Sequence, residues 1–323
     1  EVVIPNAVGV DIGCGMIAVQ TDLEDFGPGE LGSISRAIRK EVPTGFAHHT
    51  QAQDWQGFSG APDVEVLRRE LDSARKQLGT LGGGNHFIEL QKGDDGHVWI
   101  MLHSGSRNFG YTIAREFDKT ARNLAKQGGL ELPDSQLAPL FLDTEGGKAY
   151  FEAMGFAQRF AGASRERMME KVQSIIERYR PGIRYLDSVN IHHNFAAIEE
   201  HYGKSVVVHR KGATSARKGE RGIIPGSQGT PSYIVEGLGN PESFESCSHG
   251  AGRVMGRKEA RRRLDLEEEQ ARLDRSGIHH HMRSVKDLDE AASAYKDIDE
   301  VMAQQTDLVR PLVRLEPLAV IKG

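Results

Sequence analysis

Cysteine is nearly absent. Cys14 and Cys247 are the only two in 323 residues, so a disulfide framework is excluded and reduced, cytoplasmic thiols are expected. Long apolar runs are missing too, since VWIML at 98–102 and SVVVH at 205–209 are far too short to span a bilayer. No basic segment, apolar stretch and cleavage site open the chain, so no secretory leader is read there. Positive charge is also in deficit. Lys plus Arg number 41 against 46 Asp plus Glu, a net charge of −5, so any nucleic-acid site must gather its basic residues on one face. An initiator Met is lacking, and the chain enters the strand-like EVVIPNAVGVDIG at once, from which we expect upstream residues of the same domain. The hydrophobic fraction of 38% with 27% charged residues is that of a soluble globular protein with a core of its own.

Val2 to Gln20 alternates and then runs apolar, predicting a buried strand broken by glycines. Leu31–Val42 and Val64–Leu78 carry apolar residues at helical spacing, the second at Val64, Leu67, Leu71 and Leu78. Tyr111–Gln127 and Lys148–Tyr179 also read as helices, and Arg257–Arg275 as one charge-laced helix. GTLGGGNHFIEL reads as a glycine-rich loop entering a strand, and HVWIMLHSGS as a strand ending in a loop. Past Asn190 come short β-like runs with glycine and proline turns. No repeat or linker divides the chain, and strands and helices mix without a βαβ rhythm. The expectation is a single α+β domain over 1–323, with mixed or antiparallel sheets flanked by helices around a deep cleft.

Four groups of residues carry chemistry. Asp11 and Cys14 in VDIGCGM, His86 in GGGNHF, His103 in MLHSGS and the pair His192–His193 supply oxygen, sulfur and nitrogen donors suited to transition-metal ions. Gly13 and Gly15 would let the backbone turn carboxylate and thiolate toward one point. Taken singly, a buried Cys is a small hydrophobe and an Asp beside Gly a turn former, so spacing alone leaves both readings open. The loops TLGGGN, HSGSR with Arg107, and PGSQGTPS could aim backbone N–H groups at an anion, or could be plain turns. Lys204, His209, Arg210, Lys211, Arg217, Lys218 and Arg221 form a basic cluster against the one acid Glu220, either a phosphate-backbone track or a solvated hairpin. His249 in CSHGAGR precedes a Gly-Ala-Gly turn and Arg253, where an imidazole is either structural or a nucleophile toward a held phosphate. The conspicuous string His279-His280-His281 is read as an exposed loop, because adjacent histidines cannot share one ion on a regular element.

VGVDIGCGM, GTLGGGNHFIEL, LHSGSR, HHN, RKGATSA, IPGSQG, SCSHGAGRVM and VIKG resemble, in order and across the whole chain, the blocks of the RtcB family of RNA-splicing ligases. The resemblance implies a two-manganese site on Asp11, Cys14, His86, His103 and His193. Cys14 would bridge, His103 and His193 would complete one ion, and Asp11 with His86 the other. It implies that His249 attacks GTP and carries GMP, with Arg253 near the RNA phosphate. Asn85, Glu89, Asn194, Gly226, Ser227, Ser232, Ala251, Gly252, Tyr295 and Lys322 would hold the guanylate. The implied reaction joins a 2′,3′-cyclic phosphate or 3′-phosphate RNA end to a 5′-hydroxyl, in tRNA splicing or RNA repair, with an archease as an activating partner. Arg107, Arg210, Lys211, Arg217 and Lys218 are the expected RNA contacts.

Thiolate and imidazole donors favour zinc over manganese, so Zn²⁺ on the same ligands is a competing occupant. The sequence also departs from the family pattern. Gln228 and Pro231 stand where Met and Lys are common, Asn108-Phe109 follows HSGSR, and the family's upstream Asp-Val-His block is not in this chain. A repair-specialised paralogue, a metal-dependent cyclic phosphodiesterase and a non-catalytic RNA-binding protein are the competing readings. The phosphodiesterase would have no need of His249 or Lys322.

Overall fold

The computed structural model describes residues 1–27 and 29–323. Its centre is a seven-stranded sheet. In chain order the strands are β1 (Gly15–Thr21), β2 (Phe87–Gly93), β3 (Val98–Ser104), β4 (Tyr185–His192), β5 (Arg221–Ile224), β6 (Ser232–Gly237) and β7 (Val309–Lys322). Their order across the sheet is β5-β6-β7-β2-β3-β1-β4, every neighbouring pair antiparallel.

Both faces of this sheet are covered, which explains why its strands read as continuous apolar runs. Ile17, Val19, Ile88, Leu90, Ile100 and Leu102 pack on one face against α1 (Glu30–Glu41) and the C-terminal half of α4 (Glu145–Glu177). Met16, Ala18, Trp99, Met101, Ile223 and Ile234 fill the other. Every residue of Val98–Ser104 is buried. A second core joins α2 (Glu65–Gln77), α3 (Arg107–Gln127) and the N-terminal half of α4, with Phe109, Phe156 and Phe160 among its rings.

The four helices expected before residue 180 occur, with ends shifted by at most four residues. Helix α3 begins at Arg107 rather than Tyr111 because the HSGSR loop feeds it directly, Arg107 itself taking φ +60°. Three expectations need correction. Val2–Gln20 is not one strand: Val2–Val3 pairs with Leu140–Phe141, Pro5–Val8 is a helical turn, and the sheet is joined only at Gly15. Arg257–Arg275 is two helices, α5 (Arg257–Arg263) and α6 (Leu266–Arg275), since the Asp265 side chain accepts from the Glu268 N–H and starts a new helix. His279–His281 is no exposed loop. His279 exchanges backbone hydrogen bonds with Leu318 and Val320 of β7, and His280 is buried.

Candidate active site

Strands β2, β3, β1 and β4 lie side by side, and their register sets Met16 and Phe87 opposite His103, and Gly15 opposite His192. Cys14 precedes β1, His86 precedes β2, His103 nears the end of β3 and His193 follows β4. One edge of the sheet therefore carries four donors from distant parts of the chain. The turn into β1 needs its glycines. Gly13 sits at φ +71°, and a Cβ on Gly15 would come within 2.0 Å of the Ile191 carbonyl oxygen.

Cys14 Sγ lies 3.4 Å from His86 Nε2 and 3.3 Å from His103 Nε2. His103 Nε2 is in turn 3.2 Å from His193 Nε2. On the outer side, His86 Nε2 is 3.0 Å from Asp11 Oδ2, while Asp11 Oδ1 accepts from the Ser106 N–H. Burial holds His103 and His193 well below the ordinary imidazole pKa, and the neighbouring rings add to it, so both are neutral. Burial, then the Asp11 charge, pushes the Cys14 thiol up. For Asp11 burial acts upward, but the hydrogen bonds and charge from His86 prevail and its pKa is lowered.

His249 reaches this row through a short ribbon. Ser246–Ser248 pairs with Ala213–Ser215, and Gly212 (φ +66°) packs its bare Cα against the His249 ring. Gly212 is held by the His193 carbonyl and by Asn194 Oδ1. The His249 ring centroid lies 5.0 Å from that of His193, and burial lowers its pKa.

A cavity of about 270 Å³ opens beside His103 and His249. Asn85, Glu89, Gly226, Ser227, Ser232, Ala251, Gly252, Arg253, Tyr295 and Lys322 line it. Asn194 does not: its side chain ties the Asp11 carbonyl to the Gly212 N–H. Burial raises the Glu89 carboxyl to about 8, against the opposing Lys322 charge and the hydrogen bond from Gln91. Lys322 is itself lowered by burial and lies 5.8 Å over the Phe87 ring.

The chain matches the family model described as tRNA-splicing ligase RtcB over residues 1–59 and 51–323. It belongs to the RtcB family. It is 41% identical over 349 residues to the RNA-splicing ligase RtcB of Escherichia coli K12, covering 99% of this chain and 84% of that protein. The RNA-splicing ligase RtcB of Mycobacterium tuberculosis is 31% identical over 392 residues, covering 100% of this chain and 90% of its own. The tRNA-splicing ligase RtcB of Thermococcus kodakarensis is 30% identical over 395 residues, with 100% and 82% covered.

In the structure the expected basic track divides. Arg210 is buried and faces inward, clamping Glu199 through Nη1 at 2.6 Å and Nη2 at 3.0 Å; this corrects its place among the RNA contacts, because a buried, doubly paired guanidinium cannot meet a phosphate. Arg217 is exposed but shares Glu199 at 3.1 Å. Lys211 donates to the Asn6 carbonyl, and Lys218 stays exposed. Arg107 lies beside the Asp11 side of the row, held by Thr80 Oγ1 at 3.0 Å. Arg253 is stacked 4.8 Å over the Tyr295 ring and bonded to its hydroxyl.

Sequence reading missed three residues. Arg257 and Glu290 line the cavity and pair at 2.8 Å, yet Arg257 looked like one charge among many on a surface helix. Arg165 is wholly buried beneath the row, donating to the carbonyls of Gly13 and Ser104 and to Asn190 Oδ1. Its signal was there to see: one Arg at a position where α4 otherwise turns Phe160, Ala161, Met168 and Met169 inward.

Proposed function

We propose that this chain is a GTP- and manganese-dependent RNA ligase, joining a 2′,3′-cyclic phosphate or 3′-phosphate end to a 5′-hydroxyl end through a guanylylated His249. The observation that carries this reading is His249 itself, a half-buried imidazole of lowered pKa on the wall between the nucleotide-sized cavity and the Cys/His row.

The donor set suits a divalent metal. Cys14 Sγ and the Nε2 atoms of His86 and His103 lie within 4.8 Å of one another. The Nδ1 atoms of His86 and His193 are buried without a partner, while their Nε2 atoms turn into the row, toward Cys14 Sγ and His103 Nε2 respectively. Cys14, with Asp11 and His86 on one side and His103 and His193 on the other, would hold the metal. When bound, it supplies positive charge against the charge developing on a transferred phosphate. Zinc would compete for these sulfur and nitrogen donors.

The chain's own groups do the rest. A ring nitrogen of His249 attacks the α-phosphorus of GTP as the bond to pyrophosphate breaks. Burial keeps that nitrogen unprotonated for the attack. Gly252 lines the cavity and offers its backbone N–H to the nucleotide phosphate, whereas those of Gly250 and Ser227 are already given to Ser248 Oγ and Thr230 Oγ1. After opening of any cyclic ester, the RNA 3′-phosphate takes GMP from His249, and the 5′-hydroxyl then displaces GMP. We place this reaction in the cytoplasm, in keeping with two unpaired thiols; no helix among the described residues is long and apolar enough to cross a membrane.

The test is mass spectrometry after incubation with GTP and Mn²⁺. One covalent GMP is expected on the wild type and none on His249→Ala. A guanylylated His249→Ala protein would overturn the assignment. A cyclic phosphodiesterase would open its substrate without GTP and yield no joined product.

A further inference from the structure

The loop 225–231 joins β5 to β6 and is closed on itself. The Ser227 N–H donates to Thr230 Oγ1 at 2.7 Å, and the Thr230 N–H donates to the Ser227 carbonyl at 3.1 Å. Gly229 lies close against the neighbouring wall, where a Cβ would meet Leu273 Cδ2 at 3.0 Å and Ala292 Cβ at 3.4 Å. Gln228 is buried, and its Nε2 donates to the Glu290 carbonyl oxygen at 2.8 Å. A carbonyl takes a hydrogen bond only from the NH2 end of an amide, so this contact fixes which way the side chain is turned. Its Oε1 points away from the Glu290 carbonyl.

That oxygen meets no donor among the described residues, yet it is not sealed in, and Gln228 lines the cavity beside His249. The donors on the same wall are committed elsewhere. Arg257 Nε gives to Glu290 Oε1 at 2.8 Å, and the Tyr295 hydroxyl gives to Glu290 Oε2. Arg253 gives Nε to the Met255 carbonyl at 3.0 Å, Nη1 to the Tyr295 hydroxyl at 3.1 Å and Nη2 to the Asp289 carbonyl. The wall thus holds one oriented acceptor that the protein itself leaves unused.

We propose that Gln228 Oε1 is a nucleoside-binding acceptor, taking a hydrogen bond from a ribose hydroxyl or from the exocyclic amine of the bound guanine nucleotide. The inference rests on the ligase reading above, which puts that nucleotide in this cavity. The phosphates are not the partner, because their oxygens are acceptors too and an amide oxygen repels them. Of the positions where the sequence leaves the family pattern, Asn108, Phe109, Gln228 and Pro231, only Gln228 lines the cavity. The Met common there has a thioether, a weak acceptor, in place of the amide oxygen. This chain therefore reads one more group of its nucleotide than that pattern requires.

The experiment is calorimetric titration of the wild type and Gln228→Met with GMP, 2′-deoxy-GMP, 3′-deoxy-GMP and IMP, the last lacking the exocyclic amine. None of the four has a pyrophosphate to lose, so none can modify His249 and each titration reads binding alone. Met is close to Gln in length and volume, so the loop should keep its shape. Gln228→Met should weaken GMP binding by about 2- to 13-fold, the span of one uncharged hydrogen bond. It should weaken two of the three analogues by a like factor and leave the third unaffected, and that third analogue names the donor. An unchanged affinity for GMP would overturn the proposal. So would an equal loss with all four nucleotides, the mark of a displaced loop. Equal binding of all four by the wild type would overturn it without any variant. A wild type that binds no GMP would instead defeat the ligase reading itself.

Discussion

Arg165 Nη1 donates to the carbonyl oxygen of Gly13 at 2.9 Å from a side chain with no exposure to solvent. The same nitrogen reaches Ser104 at 3.0 Å, so one guanidinium joins the turn before Cys14 to the strand end after His103. The buried cation has no carboxylate in direct contact among the described residues, and burial lowers its pKa to about 10, with the Cys14 and Asp11 charges opposing that fall. It fixes the spacing of the donor row by bonding the backbone on either side.

Arg165→Met should therefore destabilise the fold by about 3–5 kcal/mol, since it strands several buried acceptors at once. Arg165→Lys should recover part of that loss but not metal affinity, because one ammonium cannot reach Gly13, Ser104 and Asn190 together. Thermal unfolding and titration against a chromophoric chelator measure the two separately. A Lys variant equal to the wild type in both would show that the fork geometry has no role.

Cobalt(II) should report the thiolate. On loading, the wild type is expected to show sulfur-to-cobalt charge-transfer absorption that Cys14→Ser loses and Cys247→Ser keeps. Cys247 is buried in the core beside Ile224 and Tyr233, away from the row. Absorption that followed Cys247 would relocate the site.

Burial raises the Glu89 carboxyl to about 8, which favours its protonated form at pH 7. On the ligase reading Glu89 holds the guanylate, and to accept hydrogen bonds from it the carboxyl must ionise. Binding of GTP at pH 7 should then release about one proton, seen as a calorimetric enthalpy that varies with the buffer's ionisation enthalpy, and Glu89→Gln should abolish the release. Binding without proton release would mean that the carboxyl donates to guanine, or does not touch it.

Glu199 carries the acid limb of stability. Burial raises its pKa, but the hydrogen bonds from Arg210 and His201 outweigh that and lower it from 4.5 to about 2. A depressed folded pKa contributes stability that is present above the unfolded value and lost as pH falls through the folded one. Glu199→Gln should cost about 3–5 kcal/mol at neutral pH, where it leaves Arg210 buried and unpaired. The gap in Tm should shrink between roughly pH 4.5 and pH 2. A constant gap across that range would refute the pairing.

Much of the site was legible because its residues sit where strands end among glycines. His86 and His103 each touch such a loop, and a strand end is the one place where a sheet exposes side chains along its edge. Arg210 misled for the opposite reason. Phe195 is its partner in the β-ribbon Asn194–His201 and Lys204–Lys211, and Glu199 lies eleven residues back on the other strand, a pairing fixed by register and burial. No count of basic residues contains that information. The break at Asp265 was readable as a capping residue three before Glu268, but the run of charges around it concealed it. The placement of His279–His281 depends on β7 passing alongside, a long-range contact without local trace.

The strand Val98–Ser104 is buried at every residue and ends in the row at His103. Amides so enclosed exchange with deuterium only when the whole sheet opens. The scaffold of the donor row is thus anchored to a fully enclosed strand, and it is expected to hold its fold without an ion. Stripping with a chelator should leave a folded protein that takes metal back on dialysis, unlike a zinc finger, which unfolds when its ion is removed. On the ligase reading, loss of metal would then be a reversible off state rather than a route to degradation.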